Sequence, residues 1–347
     1  MSTRSGPAPR FAHPRPVLWL GAFAGFYRPG AEDVRALDPV SKFLYSARSV
    51  ILVISAQAAL IAGLLALTAG RFHPLAFILL LIGFVAAHMI SNLSNDYFGH
   101  RRGHDTPDSP RMRYTVHPLA SGALDTRTLV GGLLVLAAVF AGVAAFFIAT
   151  RGWPAVILTA AGLALLLLYD AAPTPLKAIG LGEVASFLVW GPLMVGGGYA
   201  MIAGRFSATA ILASLPYGLG VMSILVGKHI DQMDFDATHG NRTLPVMLGE
   251  RGARVLNQAA VVLMYVVTAG LLLSGQLTPF AAAVVIALPR GLRAVSLMGR
   301  PRPLQAPAGY VGWPLWYHRA CLVHDRLFGW LYIAGLAIGA LLPGTRL

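Results

Sequence analysis

Charge is scarce in this chain, acid scarcer, and cysteine all but missing. Of its 347 residues only 12% are charged, with 14 Asp and Glu set against 27 Lys and Arg. The single cysteine, Cys321, excludes an intramolecular disulfide and any zinc site built from cysteines. The first 43 residues lack the apolar core of a signal peptide and are too polar to cross a bilayer. No internal repeat with paired interrupted helices stands out, which argues against a transporter built from inverted halves.

What is present is hydrophobicity. It reaches 56% of the residues, and apolar runs of membrane-spanning length recur from Val50 almost to the C-terminus. The expected fold class is an all-α integral membrane protein. Windows of about 20 residues place spans at Ser49–Thr68, Pro74–Asp96, Leu129–Thr150, Trp153–Tyr169, Glu183–Ala203 and Thr209–His229. Three more fall at Ala253–Ser274, Thr278–Met298 and Leu327–Leu342, the eighth weakened by Pro289, Arg290 and Arg293. Residues 1–43, with Arg4, Arg10, Arg15, Arg28, Arg35 and several prolines, read as a flexible basic tail with an interfacial end, followed by a transmembrane domain over 44–347.

The loops after spans two, four, six and eight hold Arg101, Arg102, Arg111, Arg113, Lys177, Arg242, Arg300 and Arg302. Those after the odd spans hold little beyond Arg71, Arg151 and Arg205. The positive-inside rule therefore sets the even loops and the N-terminal segment in the cytoplasm, with the chain in the cell (inner) membrane. A net charge of +13 reads as topology plus attraction to anionic lipid or an anionic substrate, so no nucleic acid is needed to explain it. No obligate protein partner is evident.

Two acidic clusters close spans two and six. In the first, Asn92 and Asp96 lie one helical turn apart, as do Asn95 and Gly99, so amide and carboxylate oxygens occupy adjacent rows of one face. In the second, Asp231 and Asp234 share a face, with Lys228, His229 and Asp236 beside them. Polar groups at a membrane boundary are costly, which makes them a functional hypothesis by default. Oxygen-rich clusters suit magnesium, which takes oxygen ligands and bridges one or two carboxylates to substrate phosphates. Two such clusters on one side of the membrane, ringed by Arg and Lys, describe a metal-bridged diphosphate site. Taken singly, each also fits a helix end that simply faces water.

These residues resemble the UbiA superfamily of intramembrane prenyltransferases, most closely its 1,4-dihydroxy-2-naphthoate prenyltransferase branch. The likeness runs from about Ser49 to Leu342. It is carried by Asn92-Leu-Ser-Asn95-Asp96-Tyr97, Gly103-His-Asp105, Pro107-Asp108 and Pro118-Leu-Ala-Ser-Gly122. Tyr169, Pro173-Thr-Pro175-Leu-Lys177, Gly180-Leu-Gly-Glu183, Gly191-Pro192 and Gly240-Asn-Arg-Thr-Leu continue it. The resemblance implies about nine helices around a central cavity, Mg2+ as cofactor, a prenyl diphosphate donor, a small aromatic acceptor, and a place in menaquinone biosynthesis. Three departures stand out. Gly99 and Gln232 occupy positions where the family motifs carry Asp, and Asn241 replaces a common Lys beside Arg242. The first motif also partly resembles UbiA-type terpene synthases. A synthase that cyclises a prenyl diphosphate without an acceptor therefore stays open, as does a non-catalytic isoprenoid-binding protein.

On that resemblance Asn92, Asn95, Asp96, Asp231, Asp234 and Asp236 are expected at magnesium, directly or through water, with Asp105 as a further ligand. Lys228, Arg242, Arg102 and Arg113 are expected on the diphosphate, Arg for bidentate contact and Lys as a point charge. Asp96, Asp236, Lys228 and Tyr169 form the expected catalytic set. Tyr97 and Tyr169 are candidates to face a carbocation, while Trp190, Tyr199 and Tyr217 either line the cavity or anchor at the interface. His88, in the middle of span two, marks an acceptor site or a bond to a neighbouring helix. The glycines at 196–198, 218 and 220 read as close-packing positions.

Overall fold

The structure is a computed structural model that describes residues 15–24, 30–103, 105–106, 109–310 and 312–342. Arg4, Arg10, Arg28, His104, Pro107 and Asp108, named above, lie outside the described residues. Among the described residues, nine helices are long and apolar enough to cross a membrane. Three short helices precede them: α1 (Arg15–Ala24), α2 (Ala31–Ala36) and α3 (Pro39–Ser46). The spanning helices begin with α4 (Ser49–Thr68) and α5 (Pro74–Arg101), after which the short α6 (Pro110–Tyr114) intervenes. Next come α7 (Thr126–Arg151), α8 (Trp153–Asp170), α9 (Gly182–Ala203) and α10 (Ala208–Asp231). A one-turn helix α11 (Met233–Thr238) leads to α12 (Leu244–Leu273), α13 (Pro279–Met298) and α14 (Tyr317–Leu341).

Burial separates the centre of the bundle from its rim. Two thirds of the span windows of α9 and α10 (67% each) are buried inside the protein, against 6% for α7 and 11% for α8, so the last two present most of their surface to lipid. Central helices pack closely because glycine lines their contacts: a Cβ on Gly191 of α9 would stand 3.2 Å from the Gly218 Cα of α10. Pro192 sits inside α9, where it removes a backbone donor, and the helix widens to a π stretch over Val189–Gly197.

Two boundaries differ most from the hydropathy reading. The last span starts at Tyr317 rather than Leu327. Its first turns carry His318, Arg319, His324, Asp325 and Arg326, which depress local hydropathy, yet His324 and Asp325 are fully buried against neighbouring helices. α12 starts at Leu244 rather than Ala253 because a helical turn precedes a break at Gly249, whose φ is 69°.

The N-terminal segment, expected as a flexible tail, carries α1 to α3 over its described part. Leu18, Ala22 and Val34 are buried. Asp38 caps α3 by accepting the Val40 N–H at 3.1 Å and the Ser41 N–H at 3.2 Å. Arg35 donates to the Ser121 carbonyl at 2.9 Å, tying the segment to the loop before α7.

Candidate functional site

The C-terminal ends of α5, α8 and α10 and the N-terminal end of α9 meet at one end of the bundle. Their side chains cross-link there. Asp96, near the end of α5, is 1% exposed and accepts from two guanidinium groups. Arg48, a non-glycine residue at φ 57° between α3 and α4, pairs with Oδ1. Arg111 of α6 donates its Nη2 to Oδ2 at 3.0 Å and its Nε to Oδ1 at 3.3 Å. A buried carboxylate between two fixed cations leaves one net positive charge on the cavity rim. Both oxygens of Asp96, expected at magnesium directly or through water, are engaged by these ion pairs in the structure.

One turn away, the Asn92 Nδ2 donates to the Ala47 carbonyl at 3.0 Å, and the Asn95 Nδ2 donates to Asp170 Oδ1 at 3.1 Å. With the amide nitrogens committed by these partners, the two Oδ1 atoms meet no donor among the described residues, and both residues line the cavity. Asp170, the last residue of α8, also pairs with Lys177. Beyond it, the Glu183 Oε1 of α9 lies 2.6 Å from the His229 Nδ1 of α10. Asp236 on α11 is 8% exposed, and its Oδ2 is buried without a partner among the described residues. Burial pushes its carboxyl above the usual carboxylate range, against the opposing pull of His229, Lys228 and Lys177. Asn95, Asp170, Lys177, Asp236 and Lys228 thus link the two clusters through the α8–α9 connection.

Several expected site residues are occupied elsewhere. Asp231 does not face the cavity: its carboxylate accepts the backbone N–H groups of Tyr317 at 3.1 Å and His318 at 3.0 Å, capping the start of α14. Arg302 adds a hydrogen bond to the Asp231 carbonyl at 2.6 Å. Asp234 is exposed on the outer face of α11. Arg102 donates to the carbonyls of Asp170 (2.6 Å), Ala171 (3.3 Å) and Ala172 (2.8 Å), closing the C-terminus of α8 in the way a helix end attracts a cation. Arg113 and Arg242 are exposed, and the Arg242 backbone N–H is bonded to the Ala178 carbonyl at 3.0 Å. Asp105 folds back from the loop so that its carboxylate lies against Gly99, where any Cβ would collide with it, and the His117 Nε2 sits 3.0 Å away.

Five residues of this end were missed as site candidates: Arg48, Arg111, Asp170, Lys177 and Glu183. Lys177 and Glu183 belong to the stretch that carries the family resemblance, a signal that was available. Arg111 is indistinguishable from topological charge in a linear reading.

Below the polar end lies a cavity of about 1140 Å³. Arg48, Asn92, Asn95, Tyr169 and Lys228 line its charged end, and Phe84, Phe147, Leu163, Leu193 and Val221 belong to its apolar wall. Tyr199 and Tyr217 are buried in the core and absent from that lining, whereas Trp190 belongs to it.

Among the described residues, no three His, Cys, Asp or Glu converge on one metal position. Magnesium does not require such a cage; it keeps several waters and completes its shell with substrate phosphate. The Oδ1 atoms of Asn92 and Asn95 and the unpartnered Asp236 Oδ2 are oxygen donors of the kind it takes. The donor set therefore fits an ion that arrives with a diphosphate.

Residues 56–311 match the model of the UbiA prenyltransferase family. A 1,4-dihydroxy-2-naphthoate octaprenyltransferase of Bacillus subtilis is 24% identical over 221 residues, 64% of this chain and 70% of its own. A 2-carboxy-1,4-naphthoquinone phytyltransferase of Synechocystis is 28% identical over 233 residues, 67% of this chain and 73% of its own. Among solved structures, a UbiA homologue from Aeropyrum pernix superposes with a TM-score of 0.61 at 18% identity, covering 84% of this chain and 98% of that one. A homologue from Archaeoglobus fulgidus bound to GPP and Mg2+ gives 0.52 at 15% identity, covering 83% and 98%.

Proposed function

This chain belongs to the UbiA prenyltransferase family and is a multi-pass membrane prenyltransferase, and we propose that it moves a prenyl group from a (poly)prenyl diphosphate to a hydroxylated aromatic acceptor of the dihydroxynaphthoate class. The observation that carries this reading is the cavity itself: one end holds cations and uncommitted oxygens, and most of the remaining wall is apolar. Such a shape matches a substrate with an anionic head and a hydrocarbon tail. The naphthoate relatives support the acceptor class.

In this reading Lys228, with Arg48 and Lys177, receives the diphosphate oxygens. Arg48 and Arg111 are held in place by Asp96, so their charge is positioned before substrate enters and little reorganisation accompanies the reaction. Asn92, Asn95 and Asp236 would hold the Mg2+. Bound there, the ion neutralises charge that develops on the leaving diphosphate. The C1–O bond breaks with its electron pair going to diphosphate, C1 bonds to a ring carbon, and that carbon gives its proton to the departing diphosphate or releases its carboxylate as CO2, the bonding pair returning to the ring. Tyr169, at the polar end of the cavity, offers a ring face to the allylic cation. Apolar walls keep water from it. Asp105, Asp231, Asp234, Arg102, Arg113 and Arg242 support this site from around it rather than contacting the reacting groups. The positive-inside bias sets the polar end, with the N-terminal segment, on the cytoplasmic face of the inner membrane.

The test is purified protein in nanodiscs with Mg2+ and geranyl, farnesyl, geranylgeranyl or longer diphosphates, with and without 1,4-dihydroxy-2-naphthoate. Acceptor-dependent prenylated product, read by mass spectrometry, is the expected result. Cyclic hydrocarbon or alcohol formed equally without acceptor would replace this reading with a synthase.

A further inference from the structure

Midway along the cavity, its largely apolar wall, which also carries Arg326 of α14, holds a hydrogen-bonded group of three side chains from three helices: Ser55 of α4, His88 of α5 and Trp190 of α9. The diphosphate end does not use it. The Ser55 Oγ is the hub, 2.8 Å from the His88 Nδ1 and accepting the Trp190 Nε1–H at 3.2 Å. The imidazole stands edge-on to the indole, with centroids 5.2 Å apart.

Hydrogen-bond accounting fixes what this group offers. Indole nitrogen is a donor only, so it takes a lone pair of Ser55. The Ser55 hydroxyl hydrogen has no other acceptor among the described residues and goes to the His88 Nδ1. The neutral imidazole then carries its hydrogen on Nε2. No partner for Nε2 occurs among the described residues, and His88 is on the cavity lining. An N–H donor kept within a membrane-spanning bundle and aimed at an apolar chamber is expensive to leave unpaired. A purely structural link between helices would need only Nδ1.

Its depth is also set. His88 and Asn92 are four residues apart on α5, hence on one face and about 6 Å apart along the helix axis. A donor with its diphosphate at Asn92 would place its reactive carbon toward His88. An isoprenoid tail has no atom that can accept an N–H bond. A hydroxylated or carboxylated aromatic ring does.

We infer that His88, held by Ser55 and Trp190, binds an oxygen of the acceptor ring and sets that ring beside the reactive carbon. This rests on the prenyl-transfer reading of the cavity, which it deepens by assigning a place for the acceptor. His88 touches the acceptor; Ser55 and Trp190 act through it as positioning residues.

Anaerobic calorimetric titration of 1,4-dihydroxy-2-naphthoate into nanodisc protein tests it, alongside titration of geranyl diphosphate with Mg2+. His88→Phe should weaken naphthoate binding about tenfold, the value of one lost hydrogen bond. His88→Gln, which keeps an N–H, should recover most of the loss, and Ser55→Ala should fall between. Geranyl diphosphate affinity should be the same in all four proteins, which also shows that the variants are folded. Equal naphthoate affinity in the wild type and His88→Phe, or no saturable binding by the wild type, overturns the inference. Binding that depends on His88 without prenylated product from any donor would sustain the site while refuting prenyl transfer to this acceptor.

Discussion

Replacing Asp231 separates two accounts of the second acidic cluster. The linear motif makes it a magnesium ligand; the structure makes it the cap of α14. Its carboxylate accepts two backbone N–H groups, from Tyr317 and His318. In Asp231→Ala both donors lose their acceptor within the protein. At about 1–3 kcal/mol for each donor left without its partner, with partial relaxation and water entry reducing the sum, the expected loss is roughly 3 kcal/mol. Asp231→Asn keeps one oxygen acceptor and should lose about half as much. The assay is thermal unfolding in detergent, run with and without Mg2+ plus farnesyl thiodiphosphate. Both variants should melt below the wild type, Ala more than Asn, while the upward shift on adding metal and analogue stays at its wild-type size. A variant that melts like the wild type but has lost the ligand-induced shift would refute the capping account and return Asp231 to the metal.

Restoring the family's carboxylate by Gly99→Asp should lower both melting temperature and donor turnover, because the new Cβ collides with the Asp105 carboxylate; adding Asp105→Gly should recover the stability, and a fully active, stable single variant would contradict the observed packing. Arg102→Ala should cost about 1–2 kcal/mol through loss of the cation closing the α8 C-terminus, with donor KM nearly unchanged; a tenfold rise in KM without destabilisation would put Arg102 on the diphosphate instead. Asp236 is buried and its carboxyl raised in the metal-free protein, so the affinity for Mg2+, which binds the ionised form, should show an acid limb at a pH above the ordinary aspartate range. The linked stability has the opposite sign: the folded state binds this proton more tightly than the unfolded chain, so protonation of Asp236 stabilises. Asp236→Asn should therefore remove that acid limb from the pH profile, raise the melting temperature near neutrality, and lower turnover by about 10- to 100-fold as for a lost metal contact. An unchanged limb would assign it to another group.

The spans were legible because each is a local property. An apolar run of sufficient length declares itself, and the observed boundaries fall close to the expected ones except where partners elsewhere conceal polarity. Asp325 and His324 illustrate the exception: their charge and polarity shorten the apparent ninth span, although both are buried within the bundle. The first cluster was legible in part. Asn92 and Asn95 line the cavity as their shared face implies, whereas Arg48 and Arg111, which engage Asp96, sit 48 and 15 residues away in sequence. Nothing near Asp96 announces either of them.

By itself the sequence determined that this chain lives in a bilayer, where its helices cross, and at which helix ends its polar clusters gather, because the cost of placing polar groups in hydrocarbon acts residue by residue. Only the tertiary structure decided which carboxylates are already claimed by backbone donors. Asp231 and Asp236 stand five residues apart in one motif, yet one is consumed by the N–H groups of a helix that starts 86 residues later and the other keeps an oxygen without a partner. A side chain's role depends on which neighbours claim its hydrogen bonds, and those neighbours are fixed by packing between distant helices.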